Sequence, residues 1–308
     1  MAKPAKDGVT GKEPSTGQDD GGDQLLGFML AGDTVRGALL SGTAMVKKMR
    51  ASHGLGILET LILGHGLLAA GLMSTGLKGR DYLSVKVECS GPVKGLVAEA
   101  NACGQIRGYL KNVPIPVDKP LDSFDLRPFF GAGFITVTKH IEGARRPYEG
   151  RVMMAYGSLA KDLAYYYLTS EQIPTAFNLS VKFDREGEVE GAGGLLLQAM
   201  PGAEPELVAR LEAMVADMPS LGKEVAGGRR PEDMVGEAFK ALKPKIVSRR
   251  GISFACQCNR ERVRAMLAML GAEQLRDLAE NGPFPVVVRC HFCNKAYSFS
   301  KQQLREMV

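Results

Sequence analysis

Tryptophan is absent from this 308-residue sequence, aromatic residues make up only 6% of it, and there are just four histidines. His53, His65, His140 and His291 are scattered along the chain, which leaves no histidine-based metal or nucleophile motif. No P-loop, H-E-x-x-H or G-x-S-x-G pattern occurs. That removes the usual signatures of phosphate-binding enzymes, zinc proteases and serine hydrolases. Gly191-Ala-Gly-Gly lacks the third spaced glycine of a dinucleotide site and reads instead as a close backbone approach. The sequence therefore supports no enzyme. A strong charge bias is missing as well. The 39 Lys and Arg against 34 Asp and Glu leave a formal +5, far from the balance of a dedicated nucleic-acid binder. No secretory signal is read in the polar stretch Met1 to Asp23. Leu55 to Leu77 is long enough to span a membrane. Glu59, His65 and several glycines interrupt it, so the expectation is a buried amphipathic helix and no membrane partner.

What is present is apolar content, 45% of the chain, enough for one large and one small core. The expected fold class is α+β, with a large N-terminal α+β domain, a helical metastable linker and a small C-terminal zinc-binding domain. Residues 1–23 are low in apolar residues and are expected to be a disordered tail. Residues 24–202 are expected to form the N-terminal domain. There Leu83, Val85, Val87 and Cys89 alternate as a half-buried strand. Further strands are read at Phe134–Val137, Arg151–Ala155, Phe177–Phe183 and Gly191–Gln198, and a helix at Ser158–Leu168. Residues 203–250 change character: 17 of these 48 are charged, about 35%. Two helices with thin apolar faces are read there, one carrying Leu207, Leu211, Met214, Val215 and Met218, the other Val235, Phe239 and Leu242. Such helices depend on docking more than on propensity. Residues 251–308 are the small C-terminal unit, with helical stripes at Val263–Leu270 and Leu275–Leu278, strands at Val286–Val288 and Tyr297–Phe299, and a last helix capped by Ser300 with Gln303 as its capping-box partner.

Four cysteines in that last unit carry the chemistry. Cys256 and Cys258 form a C-x-C pair, Cys290 and Cys293 a C-x-x-C pair, and 31 residues separate them. Four thiolates in a tetrahedron suit zinc, and a closed all-cysteine site is usually structural. A unit of fewer than about 60 residues has a thin core, so a metal staple is physically sensible. Arg260, Arg262, Arg289 and Lys295 are placed to offset the −2 charge of a zinc tetrathiolate. His291 lies inside the second pair, but four sulfurs already fill the coordination shell. Two readings stay open on spacing. One is a plain structural zinc ribbon, with nucleic-acid binding as its function. The other is a redox sensor, in which the local disulfides Cys256–Cys258 and Cys290–Cys293 would remove the ligands. The unit's eight basic and five acidic residues leave about +1 once a zinc tetrathiolate is counted, little to hold phosphates. A thiol oxidoreductase using Cys290 and Cys293 is a third class. Cys89 reads as a core filler and Cys103 as a turn residue.

From about Asp33 onward the sequence resembles the 33-kDa chaperonin family, the redox-regulated heat-shock holdases. The resemblance is carried by Leu96-Val-Ala-Glu-Ala-Asn, Arg107-Gly-Tyr-Leu, Ser170-Glu-Gln-Ile-Pro-Thr-Ala-Phe, Ala192-Gly-Gly-Leu-Leu-Leu-Gln, Phe254-Ala-Cys-Gln-Cys-Asn-Arg-Glu-Arg-Val and Arg289-Cys-His-Phe-Cys-Asn. It implies a cytoplasmic, ATP-independent stress-response chaperone that is a homodimer when active. One zinc ion per reduced chain would be held by Cys256, Cys258, Cys290 and Cys293. Oxidation would convert these thiols to disulfides, release the zinc, unfold the C-terminal unit and linker, and expose a surface for unfolding client proteins. No nucleic-acid partner is implied.

Overall fold

Leu83, Val85 and Val87 are completely buried on strand β3, as their alternation predicts. The computed structural model describes residues 22–117 and 125–308. The tail expected over residues 1–23 therefore lies outside the described residues, except for Gly22 and Asp23. The chain opens with β1 (Gln24–Leu30), β2 (Val35–Ser41), α1 (Thr43–His53) and α2 (Ile57–Met73). It continues through β3 (Tyr82–Cys89), β4 (Gly95–Asn101), β5 (Gln105–Leu110), α3 (Arg127–Phe130), β6 (Gly133–His140), β7 (Tyr148–Met153) and α4 (Leu159–Tyr166). A π-helical turn, Tyr167–Glu171, precedes β8 (Thr175–Phe183) and β9 (Val189–Ala199). Then come α5 (Pro205–Ala216), α6 (Leu221–Ala226), α7 (Pro231–Ala238), β10 (Lys245–Gly251) and β11 (Ser253–Phe254). The last elements are α8 (Arg260–Ala268), α9 (Ala272–Asn281), β12 (Val286–Arg289), β13 (Ala296–Phe299) and α10 (Lys301–Arg305).

Three sheets result. One runs β10-β1-β2-β9-β8, a second β11-β5-β4-β3-β6-β7, and β12 and β13 form a hairpin. All pairings are antiparallel except β11 with β5. The two large sheets share one core with α2 between them. Fifteen of the 17 residues of α2 are buried, so the helix is apolar on every side rather than amphipathic, as a fully enclosed helix must be. The segment Ile57–Gly76 is long and apolar enough to cross a membrane, yet 89% of its most apolar window is buried inside the protein. Gly71 is where the sheets close most tightly on it. A Cβ there would meet Leu40 of β2 at 2.5 Å and Ile106 of β5 at 2.8 Å. The buried Glu59 carboxylate accepts from the Ile115 amide at 2.9 Å.

The first sheet is covered on both faces. Along β1, Leu25 turns to the shared core while Leu26, Phe28 and Leu30 turn the other way. On that outer face they meet Leu211, Val215, Leu221, Met234, Val235, Phe239 and Leu242, all from the segment after residue 202. The helices expected there are α5 and α7, joined by the short α6, which packs close on the glycines of β9. A Cβ on Gly191 would meet the Gly222 carbonyl oxygen at 2.1 Å, the close approach read from the sequence. Docking is thin: only Leu211 and Val215 of the 12 residues in α5 are buried. The segment then ends in a strand, not a helix. β10 joins the edge of β1, and only two residues after it ends β11 joins the edge of β5. Ile252 and Phe254 enter the core of the N-terminal sheets, not that of the C-terminal unit. Val263, Leu267, Ala279, Tyr297, Phe299 and Leu304 make a separate small core. Ser300 and Gln303 form the expected capping box on α10.

Candidate metal centre

Cys256 and Cys258 lie just beyond β11, whose pairing with β5 sets their position through the Ala255 amide, donating to the Ile106 carbonyl at 3.0 Å. Asn259 then caps α8, its side chain accepting from the Arg262 amide at 2.8 Å, which ends the extended stretch. Cys290 and Cys293 occupy the turn of the β12–β13 hairpin. The Cys290 amide donates to Lys295 O at 3.0 Å, and the Cys293 and Asn294 amides both turn back to Cys290 O, at 3.4 and 2.7 Å. Asn294 takes the left-handed conformation that closes this turn (φ 58°), a role asparagine tolerates well.

These two local structures bring all four sulfurs within 4.8 Å of one another. Cys256 Sγ is 3.7 Å from Cys290 Sγ, and Cys258 Sγ is 3.3 Å from Cys293 Sγ. A tetrahedral ion with metal–sulfur bonds of about 2.3 Å needs sulfurs about 3.8 Å apart, so the spacing fits four-coordinate binding. The all-sulfur donor set selects a soft ion. No other group of His, Cys, Asp and Glu with metal-binding geometry occurs among the described residues. His291 stays out of the cluster and packs on Tyr109, ring centroids 5.5 Å apart.

The four thiols are partly buried and chemically unequal. Burial opposes ionisation of Cys258, but the Tyr297 hydroxyl, which donates to its sulfur at 3.2 Å, and the neighbouring thiols bring it down to about 7. Burial, with the surrounding sulfurs, holds Cys290 and Cys293 above the ordinary thiol value. Cys258 therefore gives up its proton far more readily than Cys290 or Cys293. A low-pKa thiol beside higher ones is the arrangement that oxidants attack first.

The cation nearest the sulfurs comes from outside the unit. Arg107 on β5 directs Nη1 at Cys256 Sγ (3.9 Å), pairs with Glu99 (2.7 Å), and lies over the Phe292 ring at 4.1 Å. Of the four residues expected to offset the charge, Arg260 is turned to Ser298 O and the Phe299 ring, Arg262 to Gln257 O, and Lys295 to the Tyr297 ring. His53 adds a second clasp, Nε2 standing 3.1 Å from Phe292 O, and Tyr109 meets the Phe292 ring edge-on at 5.1 Å. A cavity of about 510 Å³ opens beside Arg107, lined by Glu99, Asn101, Cys103, Gln105 and Gln257. Sequence reasoning missed Arg107, His53, Tyr109 and the thiol-facing role of Tyr297. Arg107-Gly-Tyr-Leu did stand out as a motif, without a reason attached to it.

The comparisons with known proteins meet this geometry. A family profile described as Hsp33 protein matches residues 23–300. The chain belongs to the Hsp33 family. It is similar to the 33 kDa chaperonin of Ruminiclostridium cellulolyticum, 37% identical over 93% of this chain and 98% of the relative. That of Levilactobacillus brevis is 34% identical over 93% and 97%. The crystal structure of the Hsp33 homologue from Thermotoga maritima superposes with a TM-score of 0.81 at 30% identity, covering 93% of this chain and 97% of that one. Membership in Hsp33 makes this a chaperone-family protein of mixed α+β fold whose cysteine cluster could hold a metal ion.

Proposed function

We propose that this protein is a redox-switched, ATP-independent holdase, cytoplasmic and dimeric when active, that binds unfolding client proteins and performs no catalysis. In the reduced state Cys256, Cys258, Cys290 and Cys293 would hold one zinc ion per chain. When bound, zinc supplies a four-way crosslink between the start of the C-terminal unit and its hairpin. Structural zinc sites contribute on the order of 10–16 kcal/mol of apparent binding energy in small peptides, comparable to a domain's whole net stability of about 5–15 kcal/mol. The six-residue core of this unit is a weak substitute for that crosslink.

Oxidation would join Cys256 to Cys258 and Cys290 to Cys293. Each pair of thiolates gives up two electrons to one peroxide, which takes two protons from the solvent and leaves as two waters. Sulfurs so paired can no longer hold an ion. Cys258, which ionises more readily than Cys290 or Cys293, is the expected first nucleophile. Loss of the turn geometry at 290–294 removes Phe292 from Arg107, His53 and Tyr109. The unit then lets go of β5, and the linker is left held by a thin set of side chains from α5–α7 and by the backbone ladder of β10 on β1. Release uncovers Leu26, Phe28, Leu30 and Leu195 on the outer face of the first sheet.

The single observation that carries this reading is the quartet's position. It sits at the junction of the C-terminal unit and the N-terminal sheets, just beyond β11, the short strand that follows the linker segment. The boundaries 24–202, 203–250 and 251–308 divide the chain by role on this proposal, although β10 and β11 stitch the last two segments to the first. The test is suppression of aggregation of an unfolding client, with zinc content and free thiols counted before and after peroxide. Activity that rises as zinc leaves and four thiols disappear is the expected result. Equal activity in reduced, zinc-loaded and oxidised, zinc-free protein would sink the proposal.

A further inference from the structure

The outer edge of β1 is filled by a strand that contributes little besides its backbone. β10 pairs antiparallel with β1 from Gln24 to Met29, with a bulge between Gly27 and Phe28. β1 is apolar and buried from Leu25 to Phe28, whereas five of the seven residues of β10 are exposed. Opposite Leu26 and Phe28 stand Arg249 and Ile246. Ile246 packs partly on the outer core. Arg249 is turned to Glu232 of α7, 2.8 Å away. On the other face Ser248 sits against Gly27, and Arg250 donates to Ser74 O at 3.2 Å. A basic, side-chain-poor strand is a common way to keep an apolar edge from pairing with other chains. Arg249 also ties it to the linker helices, through the ion pair with Glu232 of α7.

We infer that the β1 edge, once vacated by β10, takes up an extended apolar segment of the unfolding client as an added antiparallel strand. This rests on the release proposed above. The bare edge presents a row of N–H and C=O groups that any extended chain can satisfy, so recognition by main-chain pairing tolerates any sequence. Side chains then select for apolarity. Every second residue of the incoming strand lies on the face of Leu26 and Phe28, where β10 places Arg249 and Ile246. An apolar client strand covers that surface better than the strand it replaces, and a folded protein has no free extended segment to offer. β10 is thus a built-in stand-in for the client.

The test uses peroxide-treated full-length protein, an unfolding client, and ten-residue peptides spanning residues 243–252 with leucine in place of Arg249. The peptides are N-methylated at alternate residues in either of two phases. One phase should compete with the client as well as the unmethylated peptide, and the other roughly tenfold or more weaker, because only one set of amides faces β1. In parallel, the β1 amides that face β10 should lose hydrogen-exchange protection on oxidation and regain it with client bound. Equal competition in both phases overturns the edge pairing, as do β1 amides that stay unprotected in the client complex. Persistent β1 protection in protein that has become active also overturns it, while the redox switch stands. Failure of peroxide to activate at all removes the release itself, and this proposal with it.

Discussion

Replacing Arg107 by methionine breaks the contact between the N-terminal sheets and the cysteine cluster, along with the ion pair to Glu99 inside the sheet. Methionine keeps an unbranched apolar stem but loses the guanidinium that points at Cys256 Sγ and covers the Phe292 ring. A charge-assisted hydrogen bond contributes about 1.5–3 kcal/mol, and a partly buried cation–π contact about 0.5–2 kcal/mol. One group makes both, so they are not added. The sulfur contact is long, and Arg107 keeps 32% of its side chain exposed, which favours the low end. About 2 kcal/mol is a reasonable total, and at about 1.4 kcal/mol per factor of ten it corresponds to roughly 30-fold. That falls within the roughly 10- to 100-fold seen when a residue supporting a metal ligand is lost. The assay is competition between the reduced protein and a chromogenic chelator for zinc, together with the rate of thiol loss in dilute peroxide. R107M should hold zinc roughly 30-fold more weakly and lose thiols faster. Arg107→Lys, which keeps charge but not the planar fork, should fall between. Zinc affinity in R107M within about threefold of the parent would refute the idea that β5 steadies the cluster.

Phe239 is fully buried and stacks on Phe28 with centroids 5.8 Å apart. Phe239→Ala should cost about 3–5 kcal/mol of linker docking, so the reduced variant should be cut by protease between residues 203 and 250 and suppress aggregation without oxidant; a resistant, inactive variant would count against the docking account. Tyr297→Phe keeps the packing but removes the donor to Cys258, whose thiol should rise from about 7 toward its ordinary value; the reduced variant should therefore hold zinc more weakly against a chromogenic chelator at neutral pH, and unchanged affinity would refute the role given to Tyr297. Burial on α2 pulls the His65 imidazole down from 6.5 to about 4. The unfolded chain therefore binds the extra proton first: this contribution is complete above about pH 6.5 and is lost as pH falls toward 4. It amounts to at most about 3 kcal/mol, and less in practice because His65 keeps some solvent contact. Urea melts from pH 7 to 4 should show the decline, and His65→Gln should flatten it.

Much of this architecture could be read from the residues because it is written in local periodicity. The alternation at Leu83–Val87 became β3, that at Phe177–Phe183 became β8, and the Ser300–Gln303 pair became the capping box of α10. The cysteine spacing named four residues whose sulfurs do converge. What escaped lacks a local signal. Leu25–Leu30 of β1 and Gly37–Leu40 of β2 read as apolar runs without alternation because both faces of their sheet are covered. β10 has almost no apolar pattern, since its position depends on backbone pairing. Helix α1 has no capping side chain at its own N-terminus. The Asp23 carboxylate, 21 residues before Ala44, accepts from the Ala44 amide at 3.0 Å, so the capping signal is not adjacent in sequence. Arg107 reaches Cys256 across 149 residues, and only folding could set them side by side.

The passage from β10 to β11 has one more implication. Within ten residues, 245 to 254, the main chain laces the border of one sheet to the border of the other, and the Ile252 amide ties the lacing to the Asp23 carbonyl at 3.0 Å. A shortened protein ending near Lys243 would therefore be missing the seam itself. It would present two raw borders on a single molecule, and such fragments should stick to one another in solution even where the intact chain stays dispersed.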